Sequence, residues 1–228
     1  MADLAKIPEP KSAVTPTPTF EIGNSKIGKS GKFATTVFVW NLPAMATCPG
    51  ASSWCSNACY NADPRIEKFP VSEWIQNWAW AIHRPDELRA ALLRQIREAP
   101  PPTAVRIHSS GDFFSVGYID LWLSIVQLSP ASQFWAYTRS WVRDDLRQGL
   151  DRLRLQENVE LFASWDMTMR PAPKGWRRSI VVDPESETII RDADLSLVCP
   201  EQDGLLPNCA SCGYCFTRRP GDVIFDVH

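Results

Sequence analysis

Between residues 60 and 198 the chain has no cysteine, although it carries seven in all. That gap, with the odd count, argues against a disulfide framework spread through the molecule. Long hydrophobic runs are also missing. The first residues, MADLAKIPEPKSAVTPTPTF, hold no apolar stretch able to act as a signal peptide. No later run approaches the length needed to span a bilayer. An excess of either charge is absent too: 24 Lys and Arg stand against 26 Asp and Glu, a net charge of −2. This balance excludes a general polyanion binder but not a local basic site. There is no internal repeat or low-complexity tract. The expectation is a soluble cytoplasmic protein of one domain with small appendages, in which cysteines stay reduced and serve as metal ligands or catalysts.

What is present is organised in three parts. Residues 1–33 are rich in Pro, Thr, Lys and Gly and read as a leader. Residues 34–170 form the core, and 171–228 an irregular, Cys-rich C-terminal extension. The core opens with a β-rich run, ATTVFVWNLPA (34–44). Helical spacing follows at 72–83, with Trp74, Trp78 and Ile82 on one face, and at 85–98, with Leu88, Leu92 and Ile96. Strands at 104–110, 133–140 and 159–166 then alternate with amphipathic helices at 116–128 and 142–154. This alternation predicts an α/β fold with right-handed βαβ units and a parallel sheet, open or rolled into a partial (βα) barrel. Beyond residue 170 only SIVVD (179–183) and TIIR (188–191) read as strands.

The cysteines form two groups. Cys48, Cys55 and Cys59 lie in a loop just after the first strand, spaced C-x6-C-x3-C among small residues. Three thiolates can hold three irons of a [4Fe–4S] cube and leave the fourth open; zinc would need a fourth ligand, for which His108 at a strand end is the candidate. The plainer reading of His108 is a satisfied core or supporting imidazole. The second group is Cys199, Cys209, Cys212 and Cys215, a C-x2-C-x2-C triple with a Cys-Pro upstream. Such a triple suits a second [4Fe–4S] cluster, with zinc as the alternative; either closes a four-ligand site that staples the extension.

Other candidates stand at the C-terminal ends of the strands, where α/β folds place their chemistry. Asp112 after Gly111 could bind a substrate, act as a base or nucleophile, or cap the next helix. Arg139 could pair with a carboxylate or phosphate, and Asp166 could touch a ribose hydroxyl. The run GNSKIGKS (23–30) matches a phosphate-loop pattern but is followed by strand-like sequence, so it reads as a solvated turn. Arg177, Arg178, Arg218 and Arg219 form two basic pairs that read as solvated charge, with contact to nucleic acid as the alternative.

A strand, a three-cysteine loop, a second strand ending in Ser110-Gly111-Asp112 and further βα units resemble the radical S-adenosylmethionine superfamily over residues 35–166. The usual spacing there is C-x3-C-x2-C. More closely, NLPAMATCPG…C…CYNA, SGDFF and the terminal CPEQ…C..CG.C look like the phage gene product 88 family over most of the chain. The first resemblance implies a radical-SAM-like barrel and a cluster at Cys48, Cys55 and Cys59 that binds S-adenosylmethionine. It places Ser110, Gly111, Arg139, Asp166 and Tyr60 around that cofactor, with Asp112 as the catalytic candidate. The expected reaction is reductive cleavage of S-adenosylmethionine and hydrogen abstraction from a nucleotide or nucleic-acid substrate, fed by an electron donor. The competing expectations are a non-catalytic zinc or iron–sulfur accessory protein that binds DNA or a host protein, and a non-radical barrel enzyme acting on a nucleic-acid base.

Overall fold

The structure is a computed structural model that describes residues 17–59, 61, 71–182 and 196–226. Tyr60, the TIIR run and the turn at Pro184 lie outside the described residues.

Eight strands form one sheet in the order β1-β2-β3-β4-β5-β6-β8-β7. These are β1 (Glu21–Ile22), β2 (Thr36–Trp40), β3 (Thr103–Ile107), β4 (Gln133–Thr138), β5 (Val159–Trp165), β6 (Arg178–Val182), β7 (Ser196–Val198) and β8 (Asp222–Asp226). Only β1 runs antiparallel to its neighbour; every other pairing is parallel. Among the described residues β7 and β1 do not pair, so the sheet has two edges. The α/β class and the parallel core are as the alternation of strands and helices predicts. The segment beyond residue 170 adds three strands to this same sheet.

The helices are α1 (Ser53–Asn57), α2 (Val71–His83), α3 (Pro85–Glu98), α4 (Val116–Gln127), α5 (Asp144–Arg154) and α6 (Cys209–Cys212). Their limits follow local chemistry. Pro85 occupies the first turn of α3, where its missing N–H costs nothing. Ser115 caps α4, its Oγ accepting from the Tyr118 N–H. Asp112 therefore does not cap that helix. In α5, Asp144 and Asp145 open the first turn and Arg152 and Arg154 close the last, matching the helix dipole.

Alternation along the strands divides the molecule into two layers. Phe38, Trp40, Val105, Ile107, Phe134, Ala136 and Leu161 point outward and pack on the apolar stripes of α2–α5, including Trp78, Leu92, Trp122 and Leu150. Each valine, leucine, isoleucine or phenylalanine among them, fully buried, contributes roughly 1.5–3 kcal/mol. The opposite, inner face has no such helix layer. Val37, Val39, Ala104 and Trp135 are covered there by Ile27, Ala34, Ala210 and Phe216, from the leader and the C-terminal segment. Gly28 of the phosphate-loop-like run and Gly31 just after it serve this contact: a Cβ on Gly28 would meet the Asn208 side chain at 2.5 Å, and one on Gly31 the Ala210 backbone at 2.5 Å. Close backbone approach, not phosphate binding, is what these glycines allow.

Candidate functional site

All seven cysteines line one cavity of about 700 Å³ on the inner face of the sheet. The two groups, which the sequence presents as separate sites, share this space. Its walls also include Asn41, Arg106, His108, Ser110, Arg139 and Tyr137.

The first group is seated on the C-terminal ends of β3, β4 and β5. Cys55 lies in the short helix α1, which Ser52 caps: its Oγ accepts from the Cys55 N–H at 3.0 Å and donates to Asp166 Oδ2 at 2.6 Å. Asp166 in turn forms a buried ion pair with Arg139. The two residues expected to reach separately for a ligand therefore grip each other. Burial works to raise the Asp166 pKa, but hydrogen bonds from Ser52 and Thr168 and the Arg139 charge hold it below the ordinary carboxylate range.

Asp112 is similarly committed. Its Oδ1 accepts from the Phe113 N–H (2.7 Å) and Thr138 Oγ1 (2.6 Å), its Oδ2 from the N–H groups of Arg139 (2.8 Å) and Ser140 (3.1 Å). A carboxylate offers about four acceptor positions, so this one has none left for a substrate proton. Burial pushes its pKa up and the four donors pull it back. In this geometry Asp112 buckles the end of β3 to the end of β4. The Ser110 carbonyl accepts from the Leu42 N–H at 3.0 Å rather than standing open to a ligand amine. Gly111 packs on Leu42 and Thr47. The buried Ser110 hydroxyl, by contrast, has no hydrogen-bond partner among the described residues.

Asn41 is a residue that sequence reasoning missed. Its Oδ1 accepts from the N–H groups of Ser109 (2.8 Å) and Ser110 (2.9 Å), and its Nδ2 donates to Glu21 at 2.8 Å. It fixes the loop after β3 against the start of the first cysteine loop. His108 is buried with Nε2 at 2.8 Å from Tyr118 Oη, and the ring stacks on Tyr118. Burial and the Arg106 charge lower its pKa to about 3, so the ring is neutral. That partner occupies the nitrogen that would face a metal through Nε2; His108 belongs to the wall of the cavity.

The second group lies deeper, over Tyr137 and Phe225. Asn208 caps α6 through the Ser211 N–H. The N–H groups of Cys209 and Ala210 bond the carbonyls of Lys26 and Ile27, both at 3.0 Å. Cys199 sits just past β7, its N–H on the Ile224 carbonyl. The leader thus clamps the four-cysteine segment to the sheet.

Burial dominates the electrostatics of both groups. It pushes the thiols of Cys48 and Cys209 up to about 12 and that of Cys215 up to about 11, and raises Cys55 and Cys199 as well. Cationic side chains nevertheless work the other way: Arg139 favours the Cys55 thiolate, Arg106 those of Cys209 and Cys215, Arg177 that of Cys215 and Lys26 that of Cys199. A cation beside buried thiols is the environment in which coordination can displace their protons. Among the described residues, no three His, Cys, Asp or Glu side chains are drawn together tightly enough to share a single ion.

Of the four arginines read as solvated charge, three hold carboxylates. Arg177 bonds Glu160 and Arg178 bonds Asp222, each at 2.6 Å, and Arg218 stands 3.9 Å from Glu160. Arg219 lies over the Phe33 ring.

The family described as Gene product 88 matches residues 18–218, the whole span from the leader to the second thiol group. The chain belongs to the gene product 88 family. Its relatives include the Gene 88 protein of Mycobacterium phage L5, 30% identical over 102 residues, and that of Mycobacterium phage D29, 29% identical over the same length. The aligned stretch covers 41% of this chain in both comparisons, and 43% and 42% of those phage proteins. No solved structure matches this gene product 88 family member. No described helix is long and apolar enough to cross a membrane.

Proposed function

We propose that this protein is an iron–sulfur enzyme of the radical S-adenosylmethionine type, built on a partial (βα) barrel. The observation that carries the reading is the convergence of a three-thiol group and a four-thiol group on one cavity at a parallel sheet. Cys48, Cys55 and Cys59 would hold a cluster with one open iron, and Cys199, Cys209, Cys212 and Cys215 a closed one. Thiolates sharing one zinc stand roughly 4 Å apart, given bonds of about 2.3 Å. Those of a cubane bind separate irons and stand farther apart. When bound, the first cluster and S-adenosylmethionine would supply one-electron chemistry and an adenosyl radical.

The chain's own residues then have defined tasks. Ser52, Asp166 and Arg139 orient α1, and with it Cys55. Asn41 and Asp112 hold the loop after β3 beside that group. The cavity, within the size range of small-molecule sites, would admit a nucleotide or a nucleic-acid base, the substrate class this reading favours. The closed group would pass electrons or fix the wall.

The test is anaerobic purification with iron, sulfide and zinc quantified. Brown protein absorbing near about 400 nm, with several irons per chain, supports the reading. Cys55→Ala should then abolish 5′-deoxyadenosine formation in a protein that still folds. Colourless protein with two zincs would sink it in favour of a binding module.

A further inference from the structure

We propose that Tyr137 is a positioning residue of the four-cysteine group, its hydroxyl donating to Cys215 Sγ and favouring that sulfur as a ligand thiolate. Tyr137 lies on β4, where Phe134 and Ala136 face the helix layer and Trp135 and Tyr137 the inner side of the sheet. Its ring is fixed on three sides. The Arg106 guanidinium covers the face, 3.9 Å from the centroid, and Phe162 and Phe225 meet the ring edge-on, with centroids 5.2 and 5.5 Å away. Phe162 is also its partner in register on β5. A ring held in this way has one direction for its Oη. On that side Tyr137 packs with Cys212 and Cys215, and its hydroxyl bonds the Cys215 side chain.

The direction of the bond follows from the surroundings. Burial and the neighbouring thiols of Cys215 and Cys209 hold the phenol well above its ordinary pKa, so it keeps its proton and donates. At Cys215 burial disfavours the thiolate, and the Tyr137 hydroxyl is the first group to work against it. A hydrogen bond to an ionised acceptor is roughly twice as strong as one between neutral groups, and the thiolate is the form that binds metal. Donors that stand behind a ligand fix its orientation and basicity, and losing one costs about 10–100-fold in metal affinity. Arg106 gives this group a diffuse positive charge; Tyr137 gives a directed bond to a single sulfur.

This role rests on the reading above only in that the four cysteines hold a metal. Zinc satisfies it as well as a cluster does, so the radical chemistry can fail while Tyr137 keeps its place. The experiment is site-resolved alkylation of the full chain, purified anaerobically and given EDTA with iodoacetamide, each cysteine being followed by peptide mass spectrometry. Tyr137→Phe keeps the ring and its aromatic contacts and removes only the hydroxyl. It should unmask Cys199, Cys209, Cys212 and Cys215 at least about tenfold faster than in the wild type. Cys48, Cys55 and Cys59 should react at the wild-type rate, which also shows that the variant is folded. Tyr137→Leu removes ring and hydroxyl together and should be at least as fast at the same four positions; where it does not fold, the Phe variant decides. Wild-type rates in Tyr137→Phe would mean that the ring serves packing alone. That result, equal acceleration at both groups, or four cysteines already open in the wild type before EDTA is added, overturns the proposal.

Discussion

Gly50 rests directly on the backbone of Arg139: a Cβ on Gly50 would stand 2.2 Å from the Arg139 carbonyl oxygen. A hydrogen atom is all that fits between the first cysteine loop and the end of β4. The expected effect of Gly50→Ala is therefore a shift of the loop as well as a loss of stability. Overpacking of this kind costs about 1–3 kcal/mol. Urea unfolding measures that loss, and, on the iron–sulfur reading proposed above, metal analysis measures the second consequence, less metal retained by the first group than by the second. A variant as stable and as metal-loaded as the wild type would show that the loop does not depend on this contact.

Asp112 separates two roles that a single substitution can distinguish. As a buckle with four donors, it should lose about 3 kcal/mol on Asp112→Asn, because the amide NH2 must face N–H groups it cannot accept from. As a general base it would lose activity with little change in stability. The denaturation midpoint is the deciding measurement. A loss below about 0.5 kcal/mol is inconsistent with the buckle.

The outer layer was legible because its signals are local. Leu88, Leu92 and Ile96, or Leu146, Leu150 and Leu153, repeat at the helical period and bury as that period dictates. The strand β8 was not, since Asp222–Asp226 offers three apolar residues after an Arg-Arg-Pro-Gly turn and gains its place only by pairing with β6 and β7. The seven thiols were found as ligand candidates, but their meeting in one cavity depends on contacts between segments far apart in the chain. Arg139 and Asp166 were picked out by position alone; that they satisfy each other is a tertiary fact. Arg106 left a usable trace: in AVRIHSS it stands between Val105 and Ile107, a charge on the face opposite the helix layer.

His108 makes stability depend on acid. Its folded-state pKa, about 3, lies below the ordinary histidine value near 6.5, held down by burial and by the Arg106 charge. The unfolded chain therefore takes up a proton first as the pH falls. The contribution is complete above about pH 6.5 and is lost on the way down to about 3, at a slope of up to about 1.4 kcal/mol per pH unit. His108→Gln, which keeps an acceptor near Tyr118 but cannot titrate, should flatten that part of the stability profile. Equal slopes for wild type and variant between about pH 6 and 4 would contradict a neutral buried ring.

The path Arg139–Asp166–Ser52–Cys55 gives the last test. Asp166 and Arg139 are both buried, so removing one partner strands the other charge, at about 3–5 kcal/mol. Ser52 alone is a helix cap, worth about 1 kcal/mol. If Asp166 acts on Cys55 through Ser52, the effects of Asp166→Asn and Ser52→Ala will not add. A double-mutant cycle should give a coupling of at least about 0.5 kcal/mol. On the iron–sulfur reading proposed above, both single variants should also release metal from Cys48, Cys55 and Cys59 more readily than from the four-cysteine group, which Lys26, Ile27 and Asn208 hold independently. Additive stabilities and equal release from the two groups would mean that the ion pair supports only the sheet edge. In that event the orientation of α1 must come from the Gly50 contact alone.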